Sequence, residues 1–172
     1  MYIPSPERSP RPPLAEIGKN IADITSSVIE TGLPLDKLVV VGSASMTLAG
    51  LQRTAADVDC VVPSGLYEAL YNDPAAHGLN AKADPLRTHV IEAHTSRLKV
   101  DVIRSGMDDE EFNSLLENAS LTEFGIAYLS PAQQLAHYEG NAEARRARPE
   151  DVRLLRLHLG KTARRFFWQR PA

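Results

Sequence analysis

Two aspartates one residue apart, Asp57-Val58-Asp59, open an apolar run that continues through Cys60-Val61-Val62. Side chains alternate faces along a strand, so a strand here puts both carboxylates on one side and turns Val58 and Cys60 into a core. Two carboxylates side by side repel each other unless a cation bridges them. A hard divalent ion such as Mg²⁺ accepts this arrangement, because it takes oxygen ligands and shares its shell with substrate phosphates and water. Upstream, the apolar run Lys37 to Val41 ends in Gly42-Ser43. That pair supplies backbone N–H groups at a helix start and a glycine that lets a phosphate come close.

A third carboxylate would complete a two-metal site, in which the ions hold the attacking and leaving oxygens of an in-line displacement. Asp101, in Leu98-Lys99-Val100-Asp101-Val102-Ile103, is the candidate: its flanking valines face the core while it projects outward with Lys99 and Ile103. Glu92 on the neighbouring strand is the rival for that role. Arg53 either reaches a triphosphate or pairs with an acid nearby, and Lys99 is a second candidate for the phosphates. Ser43 would occupy a helix N-cap whether or not it also meets a phosphate. It is no nucleophile, since no Gly-x-Ser-x-Gly elbow surrounds it. The five histidines are scattered, none at metal-ligand spacing with a second.

These residues need a sheet to hold them. Leu14, Ile17, Ile21, Ile24 and Val28 predict one apolar helical stripe, starting near Pro13 and stopping at Gly32-Leu33-Pro34, that covers the sheet. Lys37 to Val41 reads as a strand buried on both faces, Ala44 to Gly50 as a short helix and Asp57 to Val62 as a second strand. A helix over Leu66 to Tyr71 follows Pro63-Ser64, and residues 72–85 read as loop. Thr88 to Ala93 and Arg97 to Ile103 form a hairpin. Asp108 to Glu111 opens a helix carrying Phe112, Leu115 and Leu116, as the macrodipole favours. Two more helices run from Pro131 to Glu139, after a Ser130 cap, and from Pro149 to about Phe167, with Ala142 to Arg148 as linker. The fold class is therefore α/β (α+β), a short mixed sheet flanked by helices. A disordered proline-rich tail over residues 1–13 precedes a domain over 14–128, and a C-terminal helical segment over 129–172 packs on it.

Composition sets outer limits. The 172 residues suit one domain, and 43% hydrophobic with 24% charged residues describe an ordinary globular protein. A single cysteine, Cys60, excludes an internal disulfide framework and fits a reducing compartment. The start, MYIPSPERSPRPP, lacks the apolar segment of a signal peptide, and no apolar run nears the roughly 20 residues of a membrane span, so the expectation is a cytoplasmic protein without a membrane partner. The net charge of −3 divides into −9 over residues 1–140 and +6 over residues 141–172. The basic end is either a solvated face or a surface for RNA. Phe166-Phe167-Trp168 reads as an anchor for the tail or a partner rather than a stack for bases.

Val41-Gly42-Ser43, thirteen intervening residues and then Asp57-Val58-Asp59-Cys60 resemble the signature of the DNA polymerase β-like nucleotidyltransferase superfamily. Within it, Gly50-Leu51-Gln52-Arg53-Thr54 and Lys99 to Ile103 are similar to the small bacterial minimal nucleotidyltransferases, including AbiEii toxin-like members. The match covers roughly residues 37–103. The resemblance implies a short mixed sheet backed by helices, with Mg²⁺ (two ions with an NTP such as ATP bound) on Asp57 and Asp59, and the third acid on the later strand. It also implies NTP contacts from Gly42 and Ser43, with Arg53 and Lys99 as further nucleotide-binding candidates. The implied activity is transfer of a nucleoside monophosphate from an NTP to an acceptor hydroxyl, on RNA or tRNA, a protein or a small molecule. An antitoxin partner follows from the toxin-like members. A non-catalytic nucleotide-sensing or interaction module is the alternative. A metal-dependent phosphoesterase ranks last for want of clustered His-Asp signatures.

Overall fold

A computed structural model describes residues 11–83, 85–86 and 88–168, without the side chains of 82, 83 and 162–168. The expectations for a disordered tail before residue 11 and for the anchoring side chains Phe166, Phe167 and Trp168 lie outside the described residues.

The acid face is built on a mixed sheet. In chain order its strands are β1 (Val39–Val41), β2 (Asp57–Val62), β3 (Ala81–Ala83), β4 (Val90–Ala93), β5 (Lys99–Arg104), β6 (Ser120–Leu121) and β7 (Ala127–Tyr128). They lie side by side in the order β3-β4-β5-β2-β1-β7-β6. β2 runs parallel to β5 and β1 parallel to β7, while the other neighbours are antiparallel. This is the mixed α/β arrangement the sequence predicts, with β6 and β7 added and three further differences. Lys37 belongs to a 3-10 turn over Leu35–Lys37 rather than to β1. The stretch read as loop contains β3, whose Ala-Lys-Ala composition gives no strand signal and which exists through pairing with β4. The linker read after Asn141 is a helix over Ala142–Ala147, capped by the Asn141 side chain on the N–H groups of Glu143 and Ala144.

One sheet face carries Val58, Cys60 and Val62 of β2 with Val100 and Val102 of β5, all fully buried. Over them pack α1 (Leu14–Glu30), through Ile24 and Val28, and α3 (Ser64–Asn72), through Tyr67 and Leu70. Ile24 and Val28 have no exposed surface, and burial of each contributes roughly 1.5–3 kcal/mol. The apolar stripe begins one turn later than its spacing suggests, because Leu14 is 78% exposed at the free start of the helix. The opposite face carries Val39, Val41 and Val61, which α4 (Asp109–Asn118) covers with Phe112, Leu115 and Leu116. α4 starts in a full capping box between Asp108 and Glu111. Asp57 and Asp59 share the face of Val61, four and two residues before it.

Polar residues of α1 hold the approaches to both acid-bearing strands. The Asn20 amide clasps Ala55, donating to its carbonyl at 2.9 Å and accepting from its N–H at 2.8 Å, two residues ahead of Asp57. One turn below Ile24, the fully buried Ser27 accepts at 3.0 Å from the N–H of Leu98, the residue before β5. Glu30 accepts from the N–H and hydroxyl of Ser96 in the same hairpin turn. α1 thus fixes where β2 and β5 begin.

The remaining helices gather around α2 (Gly42–Leu48). α5 (Pro131–Gly140), α6 (Ala142–Ala147) and α7 (Pro149–Trp168) follow Ser130, which forms a second capping box with Gln133. Met46 and Leu51 join Tyr138 of α5 and Val152 and Leu155 of α7 in a separate small core. Among the described residues no helix is long and apolar enough to cross a membrane.

Candidate active site

β2 and β5 run parallel with Asp57 opposite Lys99 and Asp59 opposite Asp101. β4 then places Glu92 opposite Asp101, and β1 places Val41 opposite Asp59. Register partners share a face, so three aspartates, one glutamate and one lysine converge on the same side of three adjacent strands. Asp57 is 43% exposed in its side chain, whereas Asp101 keeps only 10%. The outward projection expected for Asp101 is thus corrected: it shares the Lys99 face but is buried on a central strand. Its Oδ1 has no hydrogen-bond partner.

Lys99 stands among these acids. Its Nζ lies 3.1 Å from Asp101 Oδ2, 3.5 Å from Glu92 Oε1 and 4.0 Å from Asp57 Oδ2. Burial pulls the ammonium pKa down, but the hydrogen bond and charge of Asp101, then Glu92 and Asp57, outweigh it and hold the pKa above its ordinary value. Asp59 responds the other way. Burial, then the charges of Asp57 and Asp101, push its carboxyl up from 3.8 to about 6, against a smaller downward pull from Arg148 and Lys99. A carboxylate that resists ionising beside two others is a group in want of positive charge.

Gly42 faces this carboxylate. The chain turns from β1 into α2 with Gly42 at φ +67°, a left-handed conformation that favours glycine. A Cβ there would meet Asp59 Oδ2 at 3.2 Å, so the missing side chain leaves the space that Asp59 fills. Ser43 is not the helix cap. The left-handed Gly42 starts α2 one residue early and leaves Val41, which has no capping side chain, at the N-cap. Ser43 sits in the first turn, where backbone N–H groups lack helical partners.

The loop is latched from far along the chain. Gln134 of α5, 1% exposed, accepts the Gly42 N–H on Oε1 at 2.9 Å. The Ser45 hydroxyl lies 3.0 Å from the same oxygen and 2.8 Å from the Gly42 carbonyl, with one proton to share between them. Because the Gly42 N–H can only donate, it fixes which way the amide points. Gln134 Nε2 is left buried without a partner.

Arg53 follows the second of the two alternatives for it. Its Nε lies 2.9 Å from Oδ1 of the buried Asp151 on α7. The two meet charge to charge rather than along an N–H···O line, and Arg53 Nε and Asp151 Oδ2 both lack a hydrogen-bond partner. Thr47 donates its hydroxyl to the Arg53 carbonyl at 2.7 Å and steadies the loop.

No family model matches the sequence, and no curated protein matches it. Among solved structures the chain is similar to ANT(2")-Ia in complex with adenylyl-2"-tobramycin, at 15% identity over 87% of this chain and 92% of that one, with a TM-score of 0.49. It is also similar to the Megavirus polyadenylate synthase, at 12% identity over 86% of this chain and 34% of that one, with a TM-score of 0.41.

Of the residues singled out in the sequence, Asp57, Asp59, Asp101, Lys99 and Gly42 come together, Ser43 adjoins them and Arg53 turns to α7. Gln134 and Arg148 were not legible. Arg148 had one clue, its place in the basic run just before Pro149, and Gln134 had none. As placed, no group of three His, Cys, Asp or Glu among the described residues closes around a metal ion, and Lys99 lies between the acids instead. The donor set nevertheless fits a hard cation: adjacent carboxylates, one with an orphaned buried oxygen and one resisting ionisation. A concavity of about 430 Å³ at the start of α4, lined by Met107, Asp108, Glu110, Glu111 and Ser114, includes none of these residues.

Proposed function

We propose that the chain is a Mg²⁺-dependent nucleotidyltransferase that moves a nucleoside monophosphate from an NTP to an acceptor hydroxyl and releases pyrophosphate. The observation that carries this reading is the Asp59 carboxylate, seated between its register partner Asp101 and the side-chain-free Gly42, so that acid cluster and loop lie side by side. Asp57, Asp59 and Asp101 would hold the metal, which neutralises charge on the triphosphate when bound. Gly42 and Ser43 seat the triphosphate. The Gly42 N–H is committed to Gln134, so the anion would meet the first-turn amides beyond it. Asp101 orients the acceptor hydroxyl or takes its proton as that oxygen attacks the α-phosphorus and the bond to pyrophosphate breaks. Lys99 and Arg148 are the cations whose charges act on Asp59, and Arg53 joins them only on leaving Asp151.

The acceptor is an RNA or tRNA end, a protein hydroxyl or a small molecule. The +6 charge of residues 141–172 favours RNA. A toxin role, with an antitoxin as partner, extends the same reading. A second reading, a nucleotide-sensing module without turnover, is favoured by the Lys99 ammonium lodged among the acids.

The test is incubation with each α-³²P-labelled NTP, Mg²⁺ and a cell extract. Label should pass to one class of acceptor with wild type and fail to pass with Asp59→Asn. Transfer by the variant at the wild-type rate would remove the mechanism, and nucleotide binding without transfer to any acceptor would leave the sensor.

A further inference from the structure

We propose that Lys99 is a tethered counter-cation, which occupies the carboxylate cluster until a divalent cation displaces it. The proposal rests on the reading of Asp57, Asp59 and Asp101 as a metal site.

The register explains why one lysine reaches three acids. Asp57 is the direct parallel partner of Lys99, Asp101 lies two residues along the same face, and Glu92 is the partner of Asp101 on the far side. Nζ is therefore drawn to where the fields of carboxylates from β2, β4 and β5 overlap, at 3.1 to 4.0 Å from each. A cation from solution would be attracted to the same place.

Exposed ion pairs of this length add little to stability, but Asp101 is not exposed: it is 7% accessible, and among the described residues Lys99 is the cation in an ion pair with it. Losing the ammonium would leave a buried charge uncompensated. An ammonium and a divalent ion cannot both sit between the same carboxylates, so entry of one requires exit of the other. Glu92, 40% exposed in its side chain and on the outer side of the cluster, is the partner that Lys99 keeps on leaving Asp57 and Asp101. The lysine thus moves from Asp57 and Asp101 toward Glu92 only when metal arrives.

This role has a signature that neither a packing role nor a metal-positioning role shares. Removing the charge must weaken the metal-free fold and tighten metal binding together. A packing residue would worsen both, and a positioning residue would loosen the metal.

The test uses the full chain and Mn²⁺ alone as probe, with free Mn²⁺ followed by electron paramagnetic resonance and melting followed in EDTA. Lys99→Met should lower the melting temperature in EDTA and tighten Mn²⁺ binding by roughly tenfold, as expected on losing a competing charge about 4 Å away. Lys99→Arg, which keeps the charge, should stay within about twofold of wild type. If Lys99→Met fails to fold, Lys99→Gln serves in its place. Unchanged or weaker Mn²⁺ binding by the neutral variants, with wild-type uptake still abolished by Asp59→Asn, overturns the tether and leaves the metal site standing. Uptake that ignores Asp59→Asn, or absence of uptake in every variant, overturns both.

Discussion

The carboxylate of Asp59 lies over the α-carbon of Gly42, close enough that a methyl group there would stand 3.2 Å from Oδ2. Gly42→Ala therefore acts twice. It places a side chain at φ +67°, costing roughly 1–2 kcal/mol, and it pushes Asp59 off its position. The expected result is a lower thermal midpoint together with weaker Mn²⁺ binding. A variant that melts lower but binds Mn²⁺ as wild type does would show that the contact has no bearing on the acids.

Gln134 tests the loop from the other side. Replacing it with leucine deprives the half-buried Gly42 N–H of its acceptor, at a cost of about 1 kcal/mol in urea unfolding. It also frees the loop to move, so KM for the NTP should rise more than kcat falls. Equal loss in both parameters would instead point to damage at the reacting atoms.

Asp59 gives the metal-free protein a pH signature. The folded chain holds its proton up to about 6, against about 3.9 for an unfolded aspartate, so the folded state binds more protons between those values. The contribution is complete below pH 4 and lost as pH rises through 6. Asp59→Asn does not titrate, so in EDTA it should gain stability over wild type between pH 4.5 and pH 7, and Mg²⁺ should narrow that gap by stabilising wild type. A stability difference independent of pH would rule out the raised carboxyl.

Much of the site was legible because strands advertise their faces. Asp57-Val58-Asp59-Cys60 alternates acid and apolar residues, and the structure buries Val58 and Cys60 as that pattern requires. β5 repeats it with Lys99, Val100, Asp101 and Val102. What escaped notice were contacts between distant segments. β6 and β7 have two residues each, too short for any periodicity. Asn20 and Ser27 interrupt the apolar stripe of α1 at helical spacing from Ile24, which marks them as inward-facing but not as clasps on β2 and β5. Ala142 to Ala147 is made of good helix formers, yet a run that short owes its helix to the Asn141 cap. Nothing near position 134 announces that its amide will meet a loop 92 residues earlier.

That last separation orders events as the chain is made. The strands bearing Asp57, Asp59, Glu92 and Asp101 are complete once residue 104 has emerged, whereas β7, the second neighbour of β1, and Gln134 arrive later. At translation speeds of about 5–20 residues per second, Gln134 follows Gly42 by roughly 5 to 20 seconds. Any fragment halted between residues 104 and 134 carries all the acids and none of the latch.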